Sequence, residues 1–210
     1  MDRNSEAVNS FNKNASAYSE RYSSLDLYND TYELFSSMFP NRHSTVLDVA
    51  CGPGNITNYL LRKRPDLKIT GIDLAPNMVA IARENNPGAT FEVMDCRELD
   101  KLDTHYDAII CGFAIPYLSK EETEKLIADC ASMLNPGGFF YFSLIEGKYE
   151  DSDYQYASNN EDRSYVYFYN SVKIMNMLNK CNLKIVQVED FTWKNNKGEP
   201  ETHLVFIVGK

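Results

Sequence analysis

Apolar positions along the chain fall into short runs separated by polar, turn-forming stretches. Val46, Leu47 and Val49 make one run and Leu67 to Ile72 a second, with others near residues 90–94, 106–111 and 138–145. Short apolar runs bounded by turn residues read as strands buried on both faces of a parallel sheet. Between them, patterns of helical period cover residues 55–64, 77–85, 120–134 and 171–181. The first of these helices stops before Pro65, which disfavours helical backbone in the residue ahead of it. Strand and helix thus alternate, which predicts an α/β, doubly wound sheet with helices on both faces. Residues 183–191 and 202–208 read as two final strands joined by the polar loop NNKGEP, a hairpin that would set one antiparallel strand at the sheet edge. Residues 4–39 read as helical, and Pro40 ends them. The expected organisation is one domain over 1–210: a helical cap segment 1–40, a core 41–148, an insertion 149–170, and a helix with a strand pair over 171–210.

The chemistry concentrates in VLDVACGPGN, Val46 to Asn55. A strand runs through Asp48 into a small-residue turn (Ala50, Gly52, Gly54) and then a helix. Gly52 and Gly54 carry no Cβ, so the turn can be tight and a ligand can approach the backbone. The second strand closes on Asp73, 21 residues after Gly52. That separation suits an acidic side chain accepting ribose hydroxyls, and the carboxyl ends of strands are where such sheets bind ligands. The spacing builds an adenosine-type cofactor pocket on a Rossmann-like sheet. A nicotinamide dinucleotide would want a third glycine, to seat its pyrophosphate on the helix N-terminus. Thr57 stands there instead, and Asp48 sets a fixed anion beside the loop. Such an anion suits a cofactor whose nearby end is cationic, for instance the amino group of a methionine moiety.

Asp48 to Gly54 resembles the D/E-x-G-x-G-x-G first motif of the class I S-adenosylmethionine-dependent methyltransferases, with Ala50 as a small-residue variant. Asp73-Leu74-Ala75-Pro76-Asn77-Met78 is similar to the family's D-x-S-x-x-M after the second strand. Val93-Met94-Asp95-Cys96 is similar to the third-strand motif whose Asp faces the adenine amino group. Residues 106–111 look like the fourth strand, leading to Gly112 and Phe113, and 134–143 look like the L-x-P-G-G turn into the fifth. The motifs cover roughly residues 44–145 in family order. The resemblance implies seven strands, mostly parallel with an antiparallel C-terminal strand. It implies S-adenosyl-L-methionine as cofactor and S-adenosyl-L-homocysteine as its product. By position it assigns cofactor contacts to Asp48, Ala50, Cys51, Gly52, Gly54, Asp73, Leu74, Met78, Asp95, Cys96, Gly112 and Phe113. In the small-molecule branch a segment like F-x-x-x-A-x-x-Y packs over the cofactor. Here that is Phe11, Ala15 and Tyr18, with Tyr22 one helical turn on.

A chain of 210 residues with 43% hydrophobic content suits one soluble domain. Its net charge of −9 argues against a nucleic-acid partner, whose phosphates it would repel. No run approaches a membrane span and no apolar signal core opens the chain. Five cysteines without a C-x-x-C pair suit a reducing cytoplasm. His43, His105 and His203 show no ligand spacing, so they read as loop or surface residues and no metal is assigned.

Acceptor choice must come from elements added to the sheet. The insertion carries six tyrosines and five acids, and Tyr165-Val166-Tyr167-Phe168-Tyr169 alternates so that Tyr165, Tyr167 and Tyr169 share a face if it is a strand. Aromatic faces beside carboxylates receive organic cations, which makes Tyr165 and Tyr167 candidate substrate contacts and a small amine a candidate acceptor. The competing reading is a solvated acidic loop beside an edge strand. Methyl transfer from a sulfonium is an in-line displacement whose main requirement is alignment. If a base assists, Glu146 after strand five and Tyr117 after strand four are the candidates by position, for catalysis and for substrate contact. Three alternatives stand beside this reading: a non-catalytic S-adenosylmethionine-binding module, a nicotinamide-dependent reductase on a similar sheet, and a methyltransferase of proteins. The pattern is compatible with a monomer or a homodimer.

Overall fold

The computed structural model describes residues 3–39, 41–157 and 161–210. Pro40, expected to end the helical segment, lies outside the described residues. The order is α1 (Arg3–Lys13), α2 (Ala15–Tyr22), α3 (Asn29–Ser37), β1 (Thr45–Val49), α4 (Asn55–Lys63), β2 (Lys68–Asp73), α5 (Pro76–Asn85), β3 (Thr90–Val93) and β4 (Tyr106–Cys111). It continues with α6 (Lys120–Met133), β5 (Leu134–Ile145), β6 (Asp153–Tyr156), β7 (Arg163–Val166), α7 (Ser171–Lys180), β8 (Lys184–Lys194) and β9 (Pro200–Gly209).

Seven strands form one sheet in the order β3-β2-β1-β4-β5-β9-β8. Strands β1 to β5 pair in parallel, and β9 runs antiparallel between β5 and β8. The strand order reverses at β1 and β4, whose carboxyl ends therefore flank the crevice where such sheets bind ligands. The C-terminal hairpin forms as expected, but the antiparallel strand is not at the edge. Leu204 to Val208 are all buried, so β9 needs cover on both faces and lies inside. Strand β8 alternates, leaves Ile185, Val186 and Val188 exposed, and takes the edge.

The sheet divides the core. On one side Leu47, Ile109, Phe140 and Phe142 pack with α6 and α7 through Ile127 and Leu178. On the other, Val46, Ile110, Tyr141 and Ile207 pack against Phe35 of α3 and Leu60 of α4. Helix α6 starts at a capping box in which Ser119 and Glu122 satisfy each other's backbone N–H groups. The helical cap is three helices rather than one, broken at Asn14 and across residues 23–28. Helix α1 reaches from α5 to a separate two-stranded ribbon, β6-β7, that the insertion forms.

Candidate active site

The loop after β1 is pinned from both sides. The Cys51 N–H donates to the Ile72 carbonyl at 2.9 Å, and the Gly54 N–H donates to the Cys51 carbonyl at 3.0 Å. Ala50 and Gly52 both take φ +53° and Gly54 takes +79°. Gly52 has open space where a Cβ would stand, whereas a Cβ on Gly54 would collide with Asn86 and Ala82. Gly52 thus leaves room for a ligand, and Gly54 lets α4 start against α5. Ala50 holds a conformation that disfavours any side chain.

Asp48 lies beneath this loop, fully buried. Its Oδ2 accepts from the Thr57 hydroxyl at 2.6 Å, and its Oδ1 has no partner among the described residues. Burial pushes its carboxyl up to about 7; the Thr57 hydroxyl opposes this and nearby Asp73 adds to it. Asp73 accepts from the Gly52 N–H at 2.9 Å and the Ala75 N–H at 2.8 Å. Each of its oxygens keeps a lone pair for a further donor. Burial raises this carboxyl too, against those two backbone bonds. Asp95 caps a 3₁₀ turn by accepting from the Arg97 N–H at 2.9 Å, and both its oxygens bind the Arg97 guanidinium.

One cavity of about 450 Å³ collects these groups, within the usual range for small-molecule sites. Its floor is the β1 loop (Ala50, Cys51, Gly52), and one wall is Asp73, Leu74, Met78, Asp95 and Cys96. A second wall is Gly112, Phe113 and Tyr117 after β4. Phe113 holds φ +59°, fixed by its N–H donating to Ser143 Oγ at 2.9 Å. The roof is the face of α1 carrying Asn4, Ala7, Val8 and Phe11, one helical stripe, with Tyr18 and Tyr22 of α2. Phe11 meets Tyr18 at 5.7 Å and Tyr117 at 5.1 Å, both edge-on. Latches hold this roof: Asn12 Oδ1 accepts from the Asn77 N–H at 2.8 Å, and Asn14 Nδ2 donates to Asp162 at 3.0 Å.

The family model described as a methyltransferase domain matches residues 46–138. Those residues are thus similar to a methyltransferase domain. The chain is 33% identical over 105 residues to a trans-aconitate 2-methyltransferase of Variovorax paradoxus, covering 50% of this chain and 40% of that protein. It is 31% identical over 113 residues to a malonyl-[acyl-carrier protein] O-methyltransferase of Acetivibrio thermocellus, covering 50% and 40%. The chain spans about two-fifths of the length of these curated relatives. Among solved structures, magnesium protoporphyrin IX methyltransferase of Synechocystis with bound S-adenosylhomocysteine superposes at TM-score 0.75 over 100% of both chains, at 15% identity.

Residues of the domain named from sequence divide into three groups. The floor, wall and roof residues above come together as one lining. Asp48 and Gly54 do not open on the cavity: the first sets charge behind the loop, the second seats a helix. Glu146, Tyr165 and Tyr167 lie elsewhere and need correction. Glu146 lines an adjoining groove whose other walls include Gln155, Asn195 and Glu201. The tyrosines do share a face, but Val166 is the residue turned to the cavity. The Arg3 guanidinium covers the Tyr165 ring at 3.7 Å and donates to the Tyr167 hydroxyl at 3.4 Å. Arg163 covers Tyr154 at 4.1 Å. The chain's own cations fill the aromatic face.

Sequence reasoning missed the far end of the cavity. His203, read as a loop or surface residue, is buried there with Tyr28, beside the half-buried Trp193 and Glu201. Its ring stacks on Trp193 at 5.9 Å and meets Phe113 edge-on at 4.7 Å. The period-two pattern of 202–208 carried the signal, since it sets His203 on one face with Val205 and Ile207. Among the described residues no cluster of metal-ligating side chains occurs, and no helix is long and apolar enough to cross a membrane.

Proposed function

We propose that the protein transfers a methyl group from S-adenosylmethionine to a small-molecule acceptor, as a monomer or homodimer in the cytoplasm. The observation that carries this reading is one cavity running from the β1 loop and Asp73 to an aromatic chamber, under a helical roof. The residues present fit the cofactor. From behind the β1 loop, the buried Asp48 carboxylate, whose Oδ1 has no partner among the described residues, sets a negative charge suited to a cationic amino-acid end. Asp73 keeps lone pairs for ribose hydroxyls, and Gly52 leaves open space beside the backbone. In this reading Ala50, Cys51, Gly52, Leu74, Met78, Asp95, Cys96, Gly112, Phe113, Tyr18 and Tyr22 surround the cofactor.

S-adenosylmethionine, when bound, supplies an electrophilic methyl on a positively charged sulfur. The chain's part is to align an acceptor with that methyl and exclude water, and alignment supplies up to ~7–11 kcal/mol in favourable cases. The α1 stripe and Tyr117 close the cavity over the reacting end. The relatives' names, trans-aconitate 2-methyltransferase and malonyl-[acyl-carrier protein] O-methyltransferase, point to small acidic or carrier-bound acceptors for those proteins.

Isothermal titration with S-adenosylhomocysteine, beside NAD and NADP, tests the reading. Micromolar binding of S-adenosylhomocysteine alone is expected; tight binding of a dinucleotide instead would end it.

A further inference from the structure

At the far end of the cavity, Tyr28, His203 and Glu201 form a continuous chain of hydrogen bonds. The Tyr28 hydroxyl lies 2.5 Å from His203 Nδ1, and His203 Nε2 lies 2.8 Å from Glu201 Oε1. Two elements bring them together: Tyr28 stands at the N-cap of α3, while Glu201 and His203 share a face of β9. All three line the cavity, and Glu201 also lines the adjoining groove. An isolated structural histidine would need one partner; this one is held at both nitrogens, in the order hydroxyl, imidazole, carboxylate. With Glu201 accepting the Nε2 proton, Nδ1 is left as an acceptor for the Tyr28 hydroxyl. That is the arrangement by which a buried carboxylate fixes an imidazole to take a proton from a hydroxyl.

We infer that Tyr28, His203 and Glu201 form a proton relay, and that the acceptor is a hydroxyl on a flat ring, seated between Tyr22, Phe113 and Trp193. The inference rests on the methyltransferase reading and names its acceptor class. A carboxylate acceptor is already ionised and needs no base, and it would meet Glu201 as a like charge. A hydroxyl must lose its proton. As its oxygen bonds to the methyl carbon, the carbon–sulfur bond breaks and leaves its electron pair on sulfur. The hydroxyl proton passes to the Tyr28 oxygen while the Tyr28 proton passes to His203 Nδ1. The resulting imidazolium is balanced by Glu201 and returns the proton to solvent after product leaves. Burial, with Tyr141, Glu201 and Tyr22 nearby, holds the Tyr28 hydroxyl above the ordinary phenol range. Tyr28 therefore acts only by handing its proton on. Tyr28 is the catalytic residue of the relay; Glu201 is a positioning residue.

Trp193, the one tryptophan of the chain, reports on the chamber. The test titrates the full chain, saturated with S-adenosylhomocysteine, with 4-nitrophenol and with 4-nitrobenzoate, following Trp193 fluorescence and nitrophenol absorbance. The phenol is expected to bind about tenfold more tightly than the benzoate. It should show its phenolate band in buffer acid enough to keep the free phenol neutral. His203→Gln and Glu201→Gln should abolish that band while S-adenosylhomocysteine affinity stays within about twofold, a result that misfolding would not give. Benzoate binding as tightly as phenol, no binding of either, or an unchanged band in His203→Gln each overturns the relay. Failure of the unaltered chain to bind S-adenosylhomocysteine overturns the methyltransferase reading as well.

Discussion

The Thr57 hydroxyl donates to Asp48 Oδ2 at 2.6 Å, and Oδ1 of the same carboxylate has no partner among the described residues. Where a dinucleotide site would need glycine, this chain places a residue that orients a buried acid. The folded chain accepts the cost of burying that acid, and in the proposed reading a cationic ligand end would relieve it.

The first prediction concerns Asp48→Asn. In the folded chain burial holds the Asp48 carboxyl near 7; unfolded, it titrates near about 4. Between those values the folded state keeps a proton that the unfolded state has lost. Stability therefore falls as pH rises through that window and stays low above it. Asp48→Asn should remove this fall and raise the melting temperature of the ligand-free protein on the alkaline side. The same variant should bind S-adenosylhomocysteine about tenfold more weakly there. In the unaltered chain, affinity should climb with pH up to about 7, because the ligand's ammonium favours the carboxylate. Calorimetry across pH decides it; equal pH dependence in both proteins would refute the role given to Asp48.

Ala50 sits at φ +53° where the family pattern has glycine. A side chain in the left-handed region costs about 1–2 kcal/mol. Glycine there recovers that, less about 0.4–1 kcal/mol for the greater freedom of the unfolded chain. Ala50→Gly should thus raise stability, by up to about 1.5 kcal/mol. A urea midpoint that drops in Ala50→Gly would mean that the methyl makes packing contacts worth more than its strain.

Much of this was legible because the informative residues are neighbours in the chain. Asp48, Ala50, Gly52, Gly54 and Thr57 span ten positions, and Asp73 is tied to them by one strand–helix–strand unit. The relay was not legible in the same way. Tyr28 and His203 lie 175 residues apart, and only the docking of α3 beside β9 joins them. The tyrosines of the insertion show a different failure. Their alternation was read correctly, yet period two says which residues share a face and not which face turns inward. Arg3, far away in sequence, covered one face and left Val166 for the cavity.

That contact yields the third prediction. Arg3 over Tyr165 joins α1 to the β6-β7 ribbon, so Arg3→Ala should speed amide hydrogen exchange along α1 and in β7. Exchange in β1 and β4 should stay as it was. The dissociation rate of S-adenosylhomocysteine should rise, since α1 roofs the site. Unchanged exchange in α1 would show that its stripe of Ala7, Val8 and Phe11 holds it without Arg3.

The fourth concerns the thiols. All five cysteines are free. Burial pushes the Cys96 thiol up to about 12 and raises Cys51, Cys111, Cys130 and Cys181 as well. Since the thiolate is the reactive form, the native protein should label slowly with a thiol reagent near neutral pH, and all five should label on unfolding. Rapid labelling of Cys51 in the folded protein would contradict the burial that keeps its thiol protonated.

Asparagine latches hold the cavity roof where α1 meets α2, whereas a layered apolar core holds the sheet. Polar surface contacts open at a free-energy cost far below that of global unfolding. On the proposed methyltransferase reading, a spent cofactor would be traded for a fresh one through a local excursion of the first helix, repeated at every turnover. The β1 loop, the Asp73 carboxylate and the imidazole keep their alignment throughout.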